Sequence, residues 1–91
     1  MKKYHVIYSK DAQKDIKKLD KAMRNRIKSY ILKNLEGCEN PRLRGKPLKG
    51  NLKGNWRYRV GNYRIIAEIH DDKILINIVE VGHRGDIYDQ I

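Results

Sequence analysis

Apolar and polar positions change rhythm near residue 40. Before it, apolar residues recur at helical spacing; after it they alternate or run together as strands do. Tyr4-His5-Val6-Ile7-Tyr8 predicts a short first strand. Ser9 can then cap a helix, with Asp11 in the first turn where a carboxylate favours the helix dipole. Ala12, Ile16 and Leu19 fall at i, i+4 and i+7, one stripe that carries this helix to residue 19. Asp20 can cap a second helix with the stripe Met23, Ile27, Tyr30, Ile31 and Leu35, and Gly37 suits its C-terminal stop. The two helices are expected to form a hairpin on one face of a sheet.

Pro41, Gly45, Pro47, Gly50 and Gly54 make 40–55 a predicted loop. Three strands are expected at 55–60, 63–70 and 73–81, joined by tight turns at Gly61-Asn62 and Asp71-Asp72. The last strand is apolar on both faces (Ile74, Ile76 and Ile78 against Leu75, Val79 and Val81), so it belongs inside the sheet. The segment 82–91 is short and polar, with room for a half-turn of helix. The order β-α-α-β-β-β predicts an α+β fold, a mostly antiparallel sheet with the N-terminal helical hairpin on one face. With 91 residues, no repeat and no linker, a single domain over 1–91 is expected.

The strand parity places charge. A two-residue turn at Gly61-Asn62 pairs Val60 with Tyr63, Arg59 with Arg64, Tyr58 with Ile65 and Trp56 with Ala67. Trp56, Tyr58 and Val60 then share a core face, and Arg57, Arg59 and Arg64 share the other. Carried through a tight Asp71-Asp72 turn, the register sets Arg64 opposite Val79 and brings His83 and Arg84 to the rim of the arginines. Tyr88 follows Arg84 by one helical turn.

Composition reinforces this picture. Lys and Arg total 21 against 11 Asp and Glu, a net charge of +10, while 40% hydrophobic residues argue against disorder. Apolar runs never exceed three residues, so neither a membrane-spanning helix nor a signal sequence is expected. The single Cys38 suits a reducing, cytoplasmic setting. Eight cations (Arg42, Arg44, Lys46, Lys49, Lys53, Arg57, Arg59 and Arg64) and no acid lie between residues 40 and 67. A Gly-rich basic loop leading into a basic strand can bring backbone amides and cations to phosphate. Like charges directly opposite on a sheet cost stability, and an anion site is what would require them. The plainer alternative is a solvated loop whose charge serves solubility.

The candidate chemistry narrows from there. Glu68 is the only obvious carboxylate on the Arg64 face, too little for two-metal hydrolysis. His5, His70, His83 and Cys38 lack metal-ligand spacing, and no Walker, dinucleotide or nucleophile-elbow motif occurs. No cofactor or metal is expected. RNA carries its own nucleophile in the 2′-hydroxyl, so a metal-free cleavage needs a base, cations for the charged phosphorane and an acid for the 5′-oxygen. Arginines fill the middle role through bidentate contacts but make poor bases. His83 can titrate near neutral pH, and Tyr88 can stack on a base or donate a proton. Equally, a lone strand-end histidine can be a plain surface residue, and Tyr88 can cover a core edge.

Leu48-Lys49-Gly50-Asn51-Leu52-Lys53-Gly54-Asn55-Trp56-Arg57-Tyr58-Arg59-Val60-Gly61-Asn62-Tyr63-Arg64-Ile65-Ile66 and Val79-Glu80-Val81-Gly82-His83-Arg84-Gly85-Asp86-Ile87-Tyr88 resemble toxins of the RelE/ParE superfamily. The combination W-R-Y-R-V-G-x-Y-R-I-I with V-G-H-R-x-x-x-Y is specific, and the likeness extends over the chain in length and element order. It implies a type II toxin that cleaves mRNA in the ribosomal A site without metal. It also implies a cognate RelB-like antitoxin, through which the complex would bind its own operator DNA. By position, Arg57 and Arg59 match a basic strand pair that is often lysine, and Arg64 an arginine holding the scissile phosphate. Arg84 matches an arginine assisting the leaving group, and Tyr88 a tyrosine that orients or stacks on substrate. Lys46, Lys49 and Lys53 would bind RNA. Where relatives have a lysine as proposed base this chain has arginine, which leaves His83 as an alternative proton carrier or phosphorane stabilisation as the main effect. A ParE-like gyrase inhibitor and a non-catalytic RNA-binding module remain competing expectations.

Overall fold

The computed structural model describes residues 2–48 and 54–83. Strand β1 (His5–Tyr8) leads into helices α1 (Lys10–Lys17) and α2 (Lys21–Asn34). Strands β2 (Lys46–Pro47), β3 (Trp56–Val60), β4 (Tyr63–His70) and β5 (Leu75–His83) follow. The sheet order is β1-β5-β4-β3-β2, with β1 parallel to β5 and every other pair antiparallel. This is the expected α+β fold, with β5 internal as its two apolar faces require.

Each helix starts where a short polar side chain can satisfy an open backbone donor. Ser9 Oγ accepts from Ala12 N at 3.0 Å and Asp20 Oδ1 accepts from Met23 N at 3.2 Å. Ala12 and Ile16 of α1, with Ile27, Ile31 and Leu35 from α2 and its cap, bury their stripes against one sheet face. That face supplies Tyr58, Val60, Ile65, Ala67, Ile76, Ile78 and Val81.

Helix α1 also completes the sheet. Strand β5 outruns β1, whose pairing ends at Tyr8 opposite Ile78. Beyond that point Ser9 Oγ donates to Val79 O at 3.1 Å, and Val81 N donates to Asp15 Oδ2 at 3.0 Å. Two side chains thus take the place of a neighbouring strand and close an edge that would otherwise expose backbone groups.

The 38–45 segment is pinned rather than loose. Tyr58, fully buried, donates its hydroxyl to Pro41 O at 2.6 Å, and Trp56 Nε1 donates to Arg44 O at 2.6 Å. Burial holds the Tyr58 phenol well above its usual range. Gly45 (φ +80) lies so close to β3 that a Cβ there would collide with the Arg57 carbonyl. Arg42 donates through both terminal nitrogens to Asp71 at 3.0 Å, and Tyr4 donates to the same carboxylate at 2.6 Å.

Two expectations need correction. Within the predicted loop 40–55, Lys46 pairs with Arg57 and Pro47 with Trp56, adding strand β2. A two-residue edge strand tolerates proline, because its missing N–H need not pair outward. The β4–β5 connection is not a tight Asp71-Asp72 turn: residues 71–74 form it, His70 pairs with Leu75, and Ile74 takes φ 55. A register irregularity follows, where Ala67 pairs with Ile78 but Ile66 pairs with Glu80. The longer turn moves the register by two and keeps the faces; the extra residue Val79 moves it by one and exchanges them.

Two outcomes follow from this packing. Ile27→Ala should lower urea-unfolding stability by about 2–5 kcal/mol, because it empties a fully enclosed site. Asp71 is held below the ordinary carboxylate range, first by its hydrogen bonds from Arg42 and then by Tyr4. A lowered folded value stabilises above the unfolded value and loses that stabilisation as pH falls through the folded one. Asp71→Asn should therefore destabilise at pH 7, and its gap from the parent chain should shrink as pH falls below the ordinary carboxylate range.

Candidate functional site

The sheet face away from the helices carries cations in two rows. In the row next to the β3–β4 turn, Arg59 stands directly opposite Arg64, and Gly82 is the next residue across. In the second row, Lys46, Arg57, Ile66 and Glu80 lie side by side from β2 to β5. Gly61 at φ 59 makes the Gly-first two-residue turn that sets the Arg59–Arg64 pairing.

The cations differ in exposure. Arg64 is 1% exposed, Arg57 is half-buried, and Arg59 and Lys46 are exposed. Directly opposite residues have Cβ atoms about 4.5–5.5 Å apart, so Arg59 and Arg64 emerge from the sheet as neighbours. Two like charges 4 Å apart repel by about 4 kcal/mol at an effective dielectric of 20. Gly82 puts no side chain on this face beside Arg64. Arg57, Arg64 and Glu80 are each engaged by a further interaction within the fold. Beyond them Leu48 covers Ile66, with Val79 packed alongside, a small second core beneath the basic surface.

A cavity of about 250 Å³ opens at the β2–β3 edge, lined by Tyr30, Gly45, Lys46, Arg57 and Arg59. Three cations on so small a recess favour an anionic group of phosphate size over an apolar ligand. Among the described residues, no group of three or more His, Cys, Asp or Glu side chains is arranged to hold a metal ion.

The expected site residues separate into three sets. Arg57, Arg59 and Arg64 do share one face, joined there by Lys46. His83 does not join them. Arg64 pairs with Gly82 rather than Val79, so His83 falls opposite Tyr63 on the helix side, where the two rings meet edge-on at 5.4 Å and 85°. Lys49, Lys53, Arg84 and Tyr88 lie outside the described residues.

Glu68 is not the only carboxylate on this face. Glu68 is on the arginine face but four residues along β4 from Arg64, about 13 Å at 3.3 Å per residue. There it accepts from Asn77 Nδ2 at 3.3 Å and lies 3.3 Å from His70 Nε2. Glu80, brought to this face by the register irregularity, is diagonal to Arg64. It also lines a recess of about 380 Å³ with Asp11, Lys14, Asp15 and Lys18 of α1. Only the irregularity at Val79 could have revealed it.

Known proteins resemble this chain in sequence and in fold. The family model described as "ParE toxin of type II toxin-antitoxin system, parDE" matches residues 6–88. Toxin RelE3 of Methanocaldococcus jannaschii is 38% identical, over 92% of this chain and 94% of its own. The mRNA interferase toxin RelE of Escherichia coli K12 is 26% identical, over 96% and 92%. Among solved structures, the toxin–antitoxin complex RelBE2 of Mycobacterium tuberculosis contains a chain matched at TM-score 0.83 and 30% identity, covering 94% of this chain and 97% of that one.

If the Arg59–Arg64 pair is held against its own repulsion, relieving it should stabilise the fold. Arg59→Gln is expected to raise urea-unfolding stability by about 0.2–1 kcal/mol, the size of a cross-strand pair term. Arg64→Ala, which removes a buried side chain, should lower it.

Proposed function

The chain belongs to the RelE/ParE superfamily of type II toxins, and on that basis we propose that it is a ribosome-dependent endoribonuclease that cleaves mRNA without a metal. The observation that carries this reading is the direct apposition of Arg59 and Arg64 on a face that also holds Arg57 and Lys46. Clustered cations suit a reaction whose transition state concentrates negative charge on one phosphorus centre.

In the proposed reaction the 2′-hydroxyl of a bound nucleotide attacks the adjacent phosphorus. A 2′,3′-cyclic phosphate forms, the bond to the 5′-oxygen breaks, and that oxygen leaves with a proton. Arg64, set deep, would hold the scissile phosphate, while Arg59 and Arg57 would take the charge that grows on its other oxygens. Arg84 would assist the leaving oxygen and Tyr88 would orient or stack on the substrate, with Lys46, Lys49 and Lys53 contacting the RNA backbone. Arginine is not a base at neutral pH. Rate enhancement would therefore come chiefly from stabilising the phosphorane. His83, turned to the helix side against Tyr63, is less suited to take the 2′-hydroxyl proton than one on the arginine face would be.

A relative named mRNA interferase supports the enzymatic reading, and a neighbour solved as a toxin–antitoxin complex supports a RelB-like antitoxin as partner. A cation-rich face of this kind suits an acidic segment that folds on binding, and such a complex would meet operator DNA through the antitoxin. Action on ribosomes sets the proposed location in the cytoplasm. The matching family model is itself described as a ParE toxin, which favours gyrase inhibition as the second reading.

Controlled expression with primer-extension mapping of mRNA 5′ ends separates the two. New ends inside translated codons are expected with the parent chain. Removing one preorganised transition-state contact costs about 10²–10³ in rate, so Arg64→Ala should abolish detectable ends. Growth arrest with intact mRNA and accumulated gyrase-dependent DNA breaks would replace the nuclease reading with the ParE-like one.

A further inference from the structure

The basic surface does not stop at the arginine face. Residues 21–35 of α2 and its cap contain Lys21, Arg24, Arg26, Lys28 and Lys33 and no acid. Arg26 is exposed, yet its guanidinium is lodged against the β3–β4 turn. A Cβ on Gly61 would stand 3.2 Å from Arg26 Nη1 and 3.4 Å from Cζ. The bare glycine lets the planar group settle on the turn, and no carboxylate among the described residues pairs with it.

Beside that turn, on the same helix side, Val60, Tyr63 and His83 form the last row of the sheet. Tyr63 is half-buried and packed on the core, so it is a fixed base for the exposed His83 ring that meets it edge-on. A held guanidinium and a supported aromatic pair therefore flank one end of the sheet. Arg59 and Arg64 occupy the other face of that same end, one row further from the turn.

We propose that Arg26, Tyr63 and His83 form a second RNA contact, which holds the strand where it passes over the hairpin end on its way from the cleaved phosphate. Arg26 grips a neighbouring phosphate through its fork, and the His83–Tyr63 pair stacks with a base. Charge alone would suit an acidic peptide as well. A cation set beside a supported aromatic surface is the combination that takes a phosphate together with its base. This inference rests on the RNA-cleaving reading and adds to it the path of the bound strand. The RNA so held is the mRNA that flanks the cleaved phosphate.

The test is equilibrium binding of the full chain to a single-stranded RNA oligonucleotide blocked against cleavage by 2′-O-methyl substitution throughout. Arg26→Ala should weaken binding several-fold and reduce the salt slope by about 0.7, the share of one phosphate on a single strand. His83→Ala should weaken it at least fivefold, since a stacked base contributes about 1–3 kcal/mol. Arg26→Lys, which keeps charge but not the fork, should recover part of the loss, and all three variants should melt with the parent. In ribosomal cleavage assays Arg26→Ala should raise KM more than it lowers kcat. A loss of ribosome affinity seen only with mRNA supports the proposal; an equal loss with and without mRNA overturns it and moves the contact to ribosomal RNA. Unchanged oligonucleotide and ribosome binding overturns the proposal, as does a defect confined to antitoxin binding. A parent chain that binds the oligonucleotide but cleaves no mRNA overturns the nuclease reading alone, because oligonucleotide binding is read without turnover.

Discussion

The two-residue turn at Gly61-Asn62 governs what the rest of the sheet can do. It fixes Tyr58 opposite Ile65 and Arg59 opposite Arg64, and a slip of one residue would exchange every side chain of β3 or β4 between faces. One face of this hairpin must be apolar to hold α1 and α2, since a small domain has little burial to lose. The cations are thereby forced together on the other face. The clustering of the cations and the sorting that makes a core are one event, set by a glycine at φ 59.

Around that hairpin the structure replaces mass with polar fastening. Ser9 illustrates the economy, since its one hydroxyl accepts from Ala12 N to start α1 and donates to Val79 O to close the sheet edge. Asp15 continues the same edge by accepting from Val81 N. On the far side, Tyr58 and Trp56 hold the 38–45 segment through its carbonyls, so the approach to β2 and its Lys46 is shaped by two aromatic donors beneath it. The basic face is therefore mounted on parts restrained by directional bonds, and such restraint keeps charged side chains near each other without waiting for a ligand.

Much of this was legible before the fold was seen, and for a physical reason. Ser9 and Asp20 stand directly before amphipathic stripes, and short polar caps have few other uses there. Gly61-Asn62 lies between two strands of opposite parity, which leaves one plausible register for Arg59 and Arg64. What escaped was carried by β5. Val79 lies in a strand that is apolar on both faces, so an additional residue leaves no break in the pattern. The consequence is large. Glu80 moves to the arginine face and His83 leaves it, although neither residue differs in any local respect from what parity expects. Strand β2 escaped because two residues are too few to show alternation, and because Pro47 argues against any strand except at an edge.

The parallel pairing of β1 with β5 sets an order on the life of the molecule. His5 waits for Leu75, and Tyr8 for Ile78, so β1, made before every other strand described here, is among the last to find its place. Helices α1 and α2 can form early from local contacts, but the face they cover is complete only when nearly the whole chain has been made. Such long-range closure is slow relative to helix formation. A nascent copy therefore emerges with its helical hairpin ready and its sheet unfinished.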